Sequence, residues 1–225
     1  MIQTNLTTAQ TAAEQSFITK VFGWMAGGLA VSGIVASWVA DNVGFISGGT
    51  MMVLFLAQIG VVIGLSARIQ RMSVRLATGL FIGYAALTGV TLSMLLLIYT
   101  AESVASTFII TAGTFGAMAL FGATTKRDLT GLGSFMFMGL IGVIIASVVN
   151  MFVRSSAMGL MISYVGVLVF VGLTAYDMQQ IKRMDDAGFA SAEEEMKASV
   201  IGALRLYLDF INLFIMLLSI LGRRR

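Results

Sequence analysis

Residues 158–178, MGLMISYVGVLVFVGLTAYDM, decide the fold. The run carries one charged residue, Asp177, and is long enough as a helix to cross the roughly 30 Å hydrocarbon core of a bilayer. A second run, IGALRLYLDFINLFIMLLSIL at 201–221, is equally apolar but contains Arg205 and Asp209. Working outward, five more segments of near-spanning length precede these two: 21–40, 48–67, 76–100, 104–123 and 132–153. The connections between them are short, for example RIQRMSVR and TTKRDLTG. Only QQIKRMDDAGFASAEEEMKAS, between the sixth and seventh runs, leaves room for soluble structure of its own. Its AEEEMKAS portion reads as an amphipathic lead-in to the last helix.

Composition agrees with this reading. Only 11% of the 225 residues are charged, 58% are hydrophobic, and the mean hydropathy is +0.94, whereas a soluble domain carries about 25% charged residues. The expected class is an all-α, polytopic membrane protein. It has a short N-terminal tail over 1–20, one membrane domain over 21–222 and a basic tail at 223–225. The tail is too poor in charge for the basic start of a signal peptide, so the first span should act as an uncleaved insertion signal. With the N-terminus inside, Lys20, Arg68, Arg71, Arg75, Lys126, Arg127, Lys182, Arg183 and Lys197 fall on the cytoplasmic side, as the positive-inside rule prefers. Seven crossings then carry Arg223, Arg224 and Arg225 to the outer face, so either the tail is an exception to that rule, the preferred reading, or one span is not a full crossing.

The chain has no cysteine and no histidine. This excludes disulfides and thiol chemistry and argues against zinc, iron or copper sites, leaving oxygen ligands for a hard cation. No nucleotide-binding or hydrolase signature occurs, so no enzyme activity and no cofactor are expected. The net charge of +3 is spread over short loops and speaks of topology rather than nucleic acid.

Asp177 and Asp209 are the most informative side chains. An ionisable group inside a span costs at least about 2.5–3.5 kcal/mol on insertion scales, so it should face a partner or a hydrated path. The sixth and seventh runs are consecutive and therefore antiparallel, which lets the two carboxyls reach a similar depth. In contact they cannot both ionise cheaply, so one should keep a proton. A shared proton would hold the two helices together, and its loss would push them apart. Structural pairing with arginines is the competing reading. Arg205 precedes Asp209 by four residues, so it either neutralises Asp209 or snorkels to the interface. Arg68, closing the second run, is a further candidate cation, with Arg71 the neighbouring option. Tyr176, Tyr207, Asn212 and Gln58 are expected to hydrogen-bond between helices. Glu102 and Arg154 fall in short outer loops. The glycine pairs Gly23/Gly27, Gly60/Gly64 and Gly79/Gly83, each spaced four apart, are expected to seat helix–helix contacts within the chain, with hinges or dimer contacts as the competing reading.

GLTAYDMQQIK at 172–182 followed by LYLDFINLFIMLL at 206–218 resembles the signature of the Bax inhibitor-1 family, the transmembrane Bax-inhibitor-motif proteins. The resemblance extends over the whole chain, and its short loops without proline or histidine are most similar to the bacterial branch. It implies a seven-helix bundle with the last helix central, in a bacterial inner membrane. It also implies a pH-sensitive calcium leak shut by the matching carboxylates Asp177 and Asp209, which would touch Ca2+ only in passing. Arg68 matches the helix-2 arginine that engages one of them. The partners implied are the bilayer, Ca2+ and protons. Two other readings stand beside this one. The first is a non-transporting regulator that binds other membrane proteins, with the aspartates structural. The second is an intramembrane aspartyl protease, for which Tyr176–Asp177 fits but LYLDF lacks the expected glycines.

Overall fold

A computed structural model describes the backbone of residues 2–225 and the side chains from Phe17 onward, other than Ser66 and Gln70. The described residues form seven α-helices and no strand: α1 (Ile2–Asn42), α2 (Gly48–Arg68), α3 (Val74–Ile98), α4 (Ala101–Thr124), α5 (Thr130–Val153), α6 (Ser156–Ala187) and α7 (Ala192–Leu221). All seven are long and apolar enough to span a membrane, the first through its portion Phe17–Asn42. The chain is an all-α polytopic membrane protein. The backbone of the expected N-terminal tail is helical from Ile2, and its side chains up to Ser16 lie outside the described residues.

Local chemistry sets the helix ends. α1 stops where Gly44 takes φ +69°, with the N–H groups of Val43 and Gly44 both donating to Val39 O. This is the left-handed cap that glycine adopts without steric cost. Ser47 accepts a hydrogen bond from Thr50 N to open α2, and Thr100 accepts from Ser103 N to open α4. Asp128 Oδ1 accepts from both Thr130 N and Thr130 Oγ1 ahead of α5.

In the sixth connection the AEEEMKAS portion leads into the last helix as expected, and the rest is mostly helix as well. Almost all of QQIKRMDDAGFASAEEEMKAS is helix, shared between the end of α6 and the start of α7, and only Gly188–Ser191 remains as a turn. Gly188 caps α6 at φ +74°. Ser191 Oγ then accepts from Glu194 N, while Glu194 Oε2 accepts from Ala190 N. This reciprocal arrangement starts a helix, and Glu193, Glu194 and Glu195 oppose the positive end of its dipole. At 32 residues, α6 reaches about 48 Å and overruns the hydrocarbon thickness, so its charged end protrudes.

The helices divide into two compact units: residues 1–98 with 181–205, and residues 99–180 with 206–225. In the first, α1 lies along α3, and at Gly89 an added Cβ would stand 2.6 Å from Ser32 O. The buried Ser32 hydroxyl donates to Ala85 O at 2.7 Å. α2 joins α3 through Gln58, whose amide donates to Thr91 Oγ1 at 3.3 Å. The helical hairpin 181–205 packs on α1 through Val21 beside Gly202, the Phe17–Phe189 ring contact, and an ion pair of Lys20 with Glu195 at 2.7 Å.

In the second unit, Gly122 of α4 abuts the Ala175 backbone of α6, and Gly133 of α5 lies under the Tyr176 ring. Gly172 meets Met136 and Gly166 meets Met216. These are the glycines that seat close helix contacts. Among the described residues, the expected pairs Gly23/Gly27, Gly60/Gly64 and Gly79/Gly83 have nothing within 4 Å of a built Cβ, so they seat no close contact there. Spacing alone identifies small-residue faces, and it does not say which of them meets another helix.

Candidate functional site

α7 is the most enclosed of the spans, with half of its apolar window buried. Leu206, Tyr207, Asp209, Phe210, Ile211, Leu213 and Phe214 are all buried, so this stretch is covered around its circumference. Phe210 makes edge-on ring contacts with Phe108 at 5.3 Å and Phe115 at 5.5 Å, both from α4. Phe214 adds a contact with Phe108 at 6.1 Å. These aromatic contacts fix the rotation of α7 at the residue next to Asp209.

Asp209 is 4% exposed, an ionisable side chain enclosed within a span. Its Oδ2 is sealed from solvent and receives no hydrogen bond, while the residue as a whole does interact with its surroundings. Asp177, on α6, is half-buried and also has interaction partners. The Gly166–Met216 contact gives the register of the antiparallel pair α6 and α7 and puts Asp209 level with Leu173. That is four residues, or about 6 Å, from Asp177 along the axis. The backbone positions of the two aspartates are therefore offset by about one turn. Counted back from Leu221, Asp209 lies about 18 Å into the span, whereas Asp177 sits near the end of the apolar run of α6.

The residues around Asp177 tie α6 to the α4–α5 corner. Tyr176 lays its ring on Gly133. Gln179, which sequence reasoning passed over, is 7% exposed and grips the corner from both ends of its amide. Its Oε1 accepts from Leu129 N at 2.9 Å, and its Nε2 donates to Arg127 O at 2.8 Å. One side chain thus satisfies two backbone groups of the loop that carries Lys126 and Arg127. The available signal was a buried-face glutamine two residues beyond Asp177, in a chain with few polar residues.

Other expected members are placed differently. Arg205 is exposed, as a snorkelling side chain is, although Asp209 four residues on is buried. Arg68 is exposed in the last turn of α2, and Arg71 is exposed in the short 3-10 turn that follows. Tyr207 is completely buried. Asn212 donates to Leu208 O of its own helix rather than across to another. Gln58 does bridge α2 and α3. Glu102 and Arg154 are exposed at the α3–α4 and α5–α6 turns. Among the described residues, no three or more acidic side chains gather as a metal centre.

The C-terminal tail is ordered against the α3–α4 turn. Arg224 pairs with Tyr99 in an antiparallel bridge, Thr100 N donates to Arg223 O at 3.0 Å, and Arg223 N donates to Ser103 Oγ at 3.0 Å. The end of α7 therefore lies beside the start of α4, as seven complete crossings require.

Comparison with known proteins draws on the same residues. The family described as "Inhibitor of apoptosis-promoting Bax1" matches residues 14–225. The chain is 48% identical over 220 residues to the inner membrane protein YbhL of Escherichia coli strain K12, covering 95% of this chain and 94% of that protein. It is 46% identical to an uncharacterized protein of Borreliella burgdorferi, over 94% of each, and 44% identical to one of Deinococcus radiodurans, over 92% of this chain and 90% of that protein. With seven spanning helices, the YDMQQ and LYLDF stretches on adjacent antiparallel helices, and a match across almost the whole chain, the protein belongs to the Bax1-inhibitor family of membrane proteins.

Proposed function

We propose that the protein is a proton-gated leak pathway for calcium in a bacterial inner membrane, with its N-terminus cytoplasmic. The observation that carries the reading is the burial of Asp209 inside the most enclosed helix, one turn from Asp177 in register. Neither carboxylate sits where packing alone would put it, because an apolar residue would fill either position without the cost of desolvation. Their backbone offset allows one proton to satisfy both while α6 and α7 stay together, and allows repulsion to part them once it leaves. Water and passing cations would enter along the parted faces. Two carboxylates supply only part of the six to eight oxygens that calcium prefers, which suits an ion in transit, so Ca2+ is cargo.

The test is calcium flux into liposomes across pH. Wild type should leak more as pH rises, because deprotonation separates the helices. Asp209→Asn, permanently neutral, should flatten that profile, and Asp177→Asn should do so as well. Identical flux and pH dependence in wild type and both variants would refute the gate.

A second reading is favoured by one observation. The glycine pairs on α1, α2 and α3 face open space, and α2 is the least buried span. Small-residue faces of this kind accept another transmembrane helix, as a regulator that acts by binding other membrane proteins would need. Such a protein would pass no calcium alone, and substitution of Gly60 and Gly64 by leucine would release its co-purifying partner.

A further inference from the structure

The tail that follows α7 is built into the fold. α7 ends at Leu221, and Gly222 N donates to Leu218 O as the helix closes. Gly222 lies against the Tyr99 ring so closely that an added Cβ would stand 2.6 Å from it. The next two residues then form a short antiparallel pairing with Tyr99 and Thr100, anchored by the buried Ser103 hydroxyl. Ser103 also receives a hydrogen bond from Thr100 Oγ1 at 3.1 Å, so the anchor is held from both sides. The Arg224 guanidinium lies 5.9 Å from the centre of the Tyr99 ring, within cation–π range.

We propose that residues 222–224 are a latch that holds the outer end of α7 to the start of α4 and sets how readily α7 moves. The inference rests on the leak reading for its consequence, and on the hydrogen bonds at the tail for its existence. α7 carries Asp209, and any slide or rotation that separates it from α6 must also displace Arg223 and Arg224. The latch bonds use backbone groups and a neutral hydroxyl, so the device does not depend on protonation. It acts at the opposite end of α7 from the Gly188–Ser191 turn. A closed latch keeps α7 seated between its neighbours, and an open latch frees its outer half.

Because the chain has no cysteine, a pair introduced as Tyr99→Cys with Arg224→Cys reports on the latch without background. Bridge partners of this kind lie within disulfide reach. In calcium-flux liposomes the oxidised pair should fall to the level of empty vesicles, and reductant should restore the leak. Ser103→Ala, which removes the anchor, should raise the leak about fivefold, the factor worth one ordinary hydrogen bond. Complete disulfide formation with unchanged leak would overturn the proposal, as would failure of the folded pair to oxidise. If wild type and variants alike pass no calcium, the leak reading fails and the latch is judged separately by a spin label at Arg225→Cys. The label should be immobile in the otherwise wild-type chain and mobile with Ser103→Ala. Equal mobility in both would overturn the latch.

Discussion

Gly122 offers the sharpest test of how this chain packs. A methyl group there would collide with the carbonyl oxygen of Ala175 and stand 2.9 Å from the Ala175 carbonyl carbon and Cα. The obstacle is backbone, which cannot swing aside as a side chain can. To restore ordinary contact, α4 and α6 would have to separate by more than about 1 Å, and every contact along that seam would weaken. Overpacking of this type costs about 1–3 kcal/mol or more, against which the better helix propensity of alanine returns at most about 1 kcal/mol. Gly122→Ala should therefore destabilise the protein by about 2 kcal/mol. In a chain of this size that lowers the unfolding midpoint by about 5 °C. Gly60→Ala is the matched control, since nothing lies within 4 Å of its built Cβ; it should be neutral or slightly stabilising. Thermal unfolding in detergent, followed by circular dichroism, measures both. If Gly122→Ala melts with Gly60→Ala, the α4–α6 contact described above is wrong.

Two further substitutions probe the corners of the fold. Gln179→Ala removes both hydrogen bonds to the α4–α5 loop and leaves the buried Leu129 N–H unsatisfied, so it should cost about 1–3 kcal/mol and speed proteolysis near Lys126 and Arg127; an unchanged cleavage rate would count against the clamp. Arg154 ends α5 at φ +54°, a left-handed cap that suits glycine better. Arg154→Gly should accordingly raise stability by up to about 1 kcal/mol in the same unfolding assay, and a loss would contradict that backbone geometry.

Much of the site was legible in sequence because membrane insertion penalises polar residues individually. Asp177 and Asp209 stand out for that reason, and consecutive spans must be antiparallel. The role of Gln179 was not legible, because the residue lies just past the sixth apolar run and what it binds depends on which loop lies within reach. The reading of the glycine pairs failed because a four-residue spacing is a local pattern that does not specify which neighbour it meets. The AEEEMKAS portion of the sixth connection was legible as the lead-in to the last helix, while the Ser191 and Glu194 cap that starts it emerged only in the structure.

The sequence by itself determined the class, the seven spans, their alternation and the two anomalous carboxylates, since transfer of side chains from water to hydrocarbon is nearly a residue-by-residue property. Only the tertiary structure decided which glycines touch a backbone, that Asp209 is enclosed while Arg205 is exposed, that the backbone positions of the two aspartates are offset by about a turn, and that the tail pairs with Tyr99. Those facts depend on register and helix rotation. A residue or two of slip, or a turn of about 100° about a helix axis, changes every contact while leaving hydropathy untouched.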